Sequence, residues 1–429
     1  MNTSGTATTT PSAEAVQQAR SRLAEAEASG RVLDITRGKP SPAQLDLAEG
    51  LLETVTSHDW RSPSGVDCRN YGGLEGLPEA RQLFAAYLEV PLDALLLQDN
   101  SSLRLMYDTL VQAVLRGVPG SSRPWGREER VRFLCPVPGY DRHFFALEQC
   151  GIEMLPVGMT PDGPEMETVQ RLVAEDASIR GIFCVPRHSN PTGVTYSAEV
   201  VRALAEMKTA APDFRIFWDN AYHRHHLTDD PKPLADILAP CEAAGHADRV
   251  LFFGSTSKIS LAGAGVAMMA GSTANVAWWR ESLTRQTIGP DKLNQLRHLR
   301  FFRDLAGIEK HMQRHAEILR PKFELTQRLL RERLGPPGKG LATWTDPEGG
   351  YFVSLDVADG CARAVVERAG RAGVKLTAVG APFPHGNDPH DRNIRLAPSF
   401  PSLEELEAAM GLVCDAVVVT VAEKGSGAG

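Results

Sequence analysis

Short apolar runs alternate with longer amphipathic ones through the middle of the chain. The runs 131–135 (VRFLC), 152–157 (IEMLPV), 181–185 (GIFCV), 214–218 (FRIFW), 249–253 (RVLFF) and 265–270 (GVAMMA) read as strands. The segments 141–150, 164–175, 197–209 and 272–286 read as helices. Strand and helix alternating at this spacing predict an α/β unit with a mostly parallel sheet. FRIFW and RVLFF are apolar on both faces, as strands covered by helices on two sides are.

The flanks follow another pattern. Residues 13–29 and 43–57 predict helices before the α/β unit begins. After Pro290 a long helical stretch, 292–334, runs to a stop at Gly335-Pro336-Pro337. Strands at 349–356, 374–378 and 393–397, with helices near 360–372 and 402–422, make an α+β pattern. The segment 381–393 reads as a loop, and the opening MNTSGTATTTPSAEA and closing EKGSGAG as polar tails. The simplest division has three parts. Residues 1–60 form a tail and part of a small domain, 61–300 a large α/β domain, and 301–429 a small α+β domain.

Composition narrows the function classes. With 42% hydrophobic and 23% charged residues, the chain can bury an ordinary globular core. A net charge of −7 argues against a broad phosphate-backbone footprint, and so against a nucleic-acid partner. No apolar run approaches a bilayer span, and the first residues do not resemble a secretory signal. The seven cysteines include no CxxC pair, which argues against a disulfide framework and a structural zinc. The expectation is a cytoplasmic protein that uses no metal and touches no membrane.

The chemistry clusters after the strands. VRFLC leads to Tyr140, GIFCV to Ser189-Asn190-Pro191-Thr192-Gly193, FRIFW to Asp219-Asn220-Ala221-Tyr222, and RVLFF to Ser255-Thr256-Ser257-Lys258. In an open parallel sheet, ligands bind beyond the carboxyl ends of the strands. Tyr140, Asn190, Asp219, Tyr222, Ser255 and Lys258 are therefore expected along one edge. An aromatic ring, an amide, a carboxylate, a phenol, a hydroxyl and an amine suit a flat, anionic, nitrogen-containing aromatic ligand. Asn100-Ser101-Ser102, just before an amphipathic run, adds a helix N-terminus suited to an anion.

In that order and spacing these motifs resemble the class I aminotransferases of the pyridoxal-phosphate-dependent fold-type I family. They are similar in particular to a divergent subgroup that contains aspartate aminotransferases. The resemblance runs from about Arg37 to Phe400. It implies pyridoxal 5'-phosphate linked to Lys258, whose freed amine then moves the substrate proton. It implies Asp219 on the pyridine nitrogen, with His143 behind it, and Asn190 and Tyr222 on the 3-oxygen. Tyr140 is expected against the ring, and Ser101, Ser102 and Ser255 at the phosphate. Tyr71 matches a family tyrosine that reaches the neighbouring subunit's phosphate, which implies a homodimer with shared sites. Arg395 matches the clamp for the substrate α-carboxylate, and Gly38 a backbone that approaches the same group.

One position departs from the family. The arginine expected eight residues after the lysine is Val266 here, and Lys292 is the substitute cation considered. Arg142, Lys39 and Arg285 are the candidates for a distal substrate carboxylate. The implied reaction is transamination between an amino acid, aspartate or glutamate, and a 2-oxo acid such as 2-oxoglutarate or oxaloacetate. An aromatic (kynurenine-type) aminotransferase or a lyase on the same cofactor is the alternative. The effector module of a transcription regulator is a third reading, disfavoured by the short segment before Arg37 and by the acidic balance.

Overall fold

The computed structural model describes residues 10–426. In chain order its strands are β1 (Leu33–Asp34), β2 (Leu95–Gln98), β3 (Arg132–Val137), β4 (Glu153–Thr160), β5 (Gly163–Pro164), β6 (Ile179–Cys184), β7 (Arg215–Asp219), β8 (Val250–Ser255), β9 (Ala267–Gly271), β10 (Thr343–Trp344), β11 (Val353–Asp356), β12 (Val374–Lys375) and β13 (Asn393–Leu396). The main sheet has the order β2-β9-β8-β7-β6-β3-β4-β5. β8, β7, β6, β3 and β4 run parallel, while β9 opposes β8, β2 opposes β9 and β5 opposes β4.

β7 and β8 are buried at every position. Alternate residues enter two different cores, because side chains along a strand point to opposite faces. Ile216, Trp218, Val250 and Phe252 join one apolar cluster, while Phe217, Leu251 and Phe253 join the other. This double burial explains why both runs lack a polar face. The parallel register Asp219↔Phe253 and Cys184↔Trp218 brings the carboxyl ends of β6, β7 and β8 side by side.

A third core unites the two ends of the chain. Ala19, Leu23 and Leu33 pack in one cluster with Leu330, Val353, Val365 and Val417. The helix Ala13–Ser29 lies on the helix Leu403–Ser426, and β1 pairs in parallel with β12. β10, β11 and β13 form a small antiparallel sheet, which carries Arg395 on β13.

Several expectations need correction. Residues 43–57 do not form one helix: Pro42–Asp46 is followed by a 3-10 turn, Glu49–Glu53. Gly50 and the β-branched Thr54-Val55-Thr56 weaken any helix there, and Thr54 Oγ1 donates back to the Leu51 carbonyl. The stretch 292–334 is two helices, Lys292–Phe302 and Leu305–Leu334, broken where Arg303 takes φ 68°. Asp304 then caps the second helix by accepting from Gly307 N at 2.8 Å. Within 349–356 only β11 is extended, because Gly350 at φ 81° turns the chain beside His188. The run 374–378 shortens to β12. β2 was not among the expected strands, since three leucines and Gln98 do not distinguish strand from helix. Of the expected tails, residues 1–9 and 427–429 lie outside the described residues. The described parts turn helical from Ala13 and stay so through Ser426.

Candidate active site

A cavity opens at the carboxyl edge of the parallel strands. Ser101, Ser102, Tyr140, Asn190, Asp219, Tyr222, Ser257 and Lys258 all line it. Each arrives at the end of an element. Ser101 caps the helix Ser102–Arg116 by accepting from Arg104 N, so its own proton remains available to a ligand. Tyr140 precedes the helix Asp141–Gln149, after a turn at Gly139 where a Cβ would strike the Pro136 carbonyl.

Asp219 is the last residue of β7 and is buried. Its Oδ2 accepts from His143 Nε2 at 3.0 Å. His143 is itself fixed by stacking on Phe183, 4.2 Å between centroids at 12°. Asp219 Oδ1 is buried and has no hydrogen-bond partner. An orphaned carboxylate oxygen is costly unless a ligand satisfies it.

Lys258 lies in the turn that follows β8. Burial lowers the pKa of its ammonium, with Asp219 opposing. Its Nζ sits 5.0 Å from the centroid of the Tyr222 ring. Its carbonyl accepts from Tyr351 OH at 3.2 Å, and Tyr351 OH accepts from Gln44 Nε2 at 2.9 Å. The backbone of the lysine is thereby tied to the N-terminal segment. Burial pushes the Tyr222 phenol well up, so it stays protonated as a donor.

Ser255 is buried but does not line the cavity; its Oγ lies 2.9 Å from the Oγ of Ser257, which does. The serine expected at the phosphate therefore meets the cavity only through Ser257. Val266 is buried in the core, where its N donates to Thr256 Oγ1 at 2.8 Å. Lys292 does not replace the missing arginine within this chain. Its Nζ donates to the carbonyls of Asn70 (2.7 Å) and Gly72 (2.5 Å), the two residues that flank Tyr71.

Arg395, on β13, contacts the cavity wall through Asn190. Its Nη1 donates to Asn190 Oδ1 at 3.4 Å and to Asp141 Oδ1 at 3.2 Å. The Phe352 ring lies beneath the guanidinium, 5.2 Å from its centroid. Gly38 packs on the same ring so tightly that a Cβ would collide with it. Asp141 and Phe352 were not anticipated from the sequence. An acid in the first turn of a helix is ordinary, and nothing local points it at an arginine so distant in the chain.

The other candidates are not gathered at the cavity. Tyr71 is 79% exposed and is not among the residues lining this cavity. Arg142 is exposed, 5.5 Å over the Phe145 ring. Lys39 lies 4.1 Å over the Phe400 ring, and Arg285 pairs with Glu281 one turn earlier at 2.8 Å. Of the three, Arg142 is close enough to oppose, with Arg395, the upward push that burial gives the Tyr140 phenol.

These groups fit pyridoxal phosphate. A half-buried amine, an orphaned carboxylate oxygen, a phenol, an amide and a helix N-terminus are what its aldehyde, ring nitrogen, 3-oxygen and phosphate require. The family model described as aspartate amino-transferase matches residues 7–428. An aspartate aminotransferase of Corynebacterium glutamicum is 46% identical over 391 residues, covering 91% of this chain and 90% of that one. The crystal structure of an aspartate transaminase from the same organism superposes with a TM-score of 0.92 at 44% identity, covering 96% and 98% of the two chains. The Thermus thermophilus α-aminoadipate aminotransferase shares the fold at 19% identity, with a TM-score of 0.74 over 95% of this chain and 98% of that one. The chain belongs to the aspartate amino-transferase family and is a class I, pyridoxal-phosphate-dependent aminotransferase.

Proposed function

We propose that the protein exchanges the amino group of aspartate or glutamate with a 2-oxo acid, 2-oxoglutarate or oxaloacetate. The reading rests on one arrangement: Asn190, which Arg395 contacts, lines the same cavity as Lys258 and Asp219. When bound, pyridoxal phosphate supplies an electron sink for the charge left on the substrate Cα. Arg395 and Asn190 hold the α-carboxylate, with the Gly38 backbone alongside. Lys258 Nζ, made more readily neutral by burial, would take the proton from the substrate Cα and later return it. Asp219 Oδ1 would hold the ring nitrogen in its protonated form, and His143 positions that carboxylate. Tyr222 and Asn190 would donate to the 3-oxygen, and Tyr140 would pack against the ring. Ser101, Ser102 and Ser257 would hold the phosphate at the N-terminus of the helix Ser102–Arg116, with Ser255 supporting Ser257.

A dicarboxylic substrate is favoured by Arg142, which shares the field of Arg395 at Tyr140, and by what the Corynebacterium relative is called. The proposal also includes a homodimer in which Tyr71 serves the partner's phosphate. It keeps 61–300 as the cofactor-binding domain, and it keeps a cytoplasmic location. No helix among the described residues is long and apolar enough to cross a membrane. A turnover screen of amino donors with 2-oxoglutarate tests the substrate. Aspartate and glutamate should lead; faster turnover of kynurenine or tyrosine selects the aromatic reading, and a colourless protein that takes up no cofactor overturns both.

A further inference from the structure

Arg395 already holds a carboxylate. The Asp141 and Arg395 side chains are 15% and 8% exposed, so their ion pair is largely out of water, where it is poorly screened. Arg395 Nε is buried without a partner. On the reading of Arg395 given above, an incoming α-carboxylate needs the same guanidinium. Two carboxylates crowded onto one cation repel each other. Asn190, the other partner of Nη1, carries no charge and raises no such conflict.

Helix-dipole stabilisation explains an acid at the first position of the helix Asp141–Gln149. It does not explain why Oδ1 rests on an arginine of β13, 254 positions away. We propose that Asp141 is a specificity-determining residue of the substrate site. It neutralises Arg395 in the free enzyme and yields the guanidinium only to a ligand with further contacts to offer. A bare carboxylate exchanges one ion pair for another and gains little. A 2-amino or 2-oxo acid also engages the lysine end of the cavity, and those contacts drive the exchange. Asp141 thus screens out simple organic anions.

Calorimetric titration of the holoenzyme with succinate tests this, because succinate has carboxylates and no amino group. Asp141→Asn keeps the size and removes the charge. Succinate should then bind roughly tenfold tighter or more, the scale of one charge-assisted contact. KM for the amino donor should fall while kcat changes little. Arg395→Ala should weaken succinate binding in either background. Equal or weaker succinate binding in Asp141→Asn, with binding still dependent on Arg395, overturns the proposal and leaves Asp141 as a mere support for the arginine. Succinate binding indifferent to Arg395→Ala overturns the proposal together with the reading of Arg395 beneath it. Asp141→Ser, read by the same criteria, serves if the asparagine variant does not fold.

Discussion

Replacing Asp219 by Asn isolates the charge that the site presents to the cofactor ring. Asparagine has nearly the same shape, and its amide oxygen can still accept from His143 Nε2, which lies 3.0 Å from Asp219 Oδ2. Packing against β8 and the stacked His143–Phe183 pair should persist, so the melting temperature should move little. What disappears is the negative charge at Oδ1, a buried oxygen with no partner in the chain. A hydrogen bond to a charged group is worth about 1.5–3 kcal/mol, roughly ten- to a hundredfold in rate at 1.36 kcal/mol per decade. A preorganised group removed from a site shielded from water costs more, about 10²–10³-fold. The expectation is therefore a loss of about a hundredfold or more in the first half-reaction, measured by rapid mixing of aspartate with holoenzyme in a single turnover. Cofactor binding, measured separately by fluorescence titration, should weaken far less. A single-turnover rate within about threefold of the native protein, with the variant fully loaded, refutes the role of Asp219.

Arg142→Leu should lower kcat/KM for aspartate and glutamate by roughly ten- to a hundredfold, and hardly change it for alanine; an equal loss on all donors assigns Arg142 to cofactor or fold. Heterodimers of a Lys258→Ala, Arg395→Ala subunit with a Tyr71→Phe subunit should regain activity at one of their two sites, and no recovery in verified heterodimers argues for sites built from one chain. Lys292→Met removes the ammonium that clamps the carbonyls of Asn70 and Gly72, so the dissociation constant for pyridoxal phosphate should rise several-fold while the circular dichroism spectrum stays native; an unchanged constant means that the Tyr71 loop needs no clamp. Burial holds His298 and His226 at about 4, below their usual 6.5, so both are neutral in the fold and protonate more readily once it unfolds. Their contribution to stability is present above pH 6.5 and lost as pH falls to 4, and a melting temperature flat across that window contradicts it.

The sequence by itself determined the parallel sheet, because β6, β7 and β8 are buried on both faces and so lack any polar alternation. It also determined most of the cavity. Tyr140, Asn190, Asp219, Tyr222 and Lys258 each sit within a few residues of a strand end, and parallel neighbours must present those ends along one edge. Local chemistry set the helix starts at Ser12, Ser101 and Ser272, where a hydroxyl accepts from a backbone N–H two or three residues on. The break at Arg303 is different. Arg303 is itself a good helix former, so its own propensity does not explain the φ of 68° it adopts there.

Only the tertiary structure decided which charges meet. Lys292 looked free to neutralise a phosphate, yet it is buried under two carbonyls contributed by residues more than two hundred positions earlier. Ser255 and Ser257 look equivalent in sequence, but Ser255 ends β8 and is buried, while Ser257 lies in the turn beyond it and lines the cavity. Asp141 reads as an ordinary first-turn acid, and its meeting with Arg395 depends on how β13 is set against the β3 edge. Charge pairing of this kind is long in sequence and short in space. A period of two or 3.6 residues reports which face is apolar, but not which distant cation that face will confront.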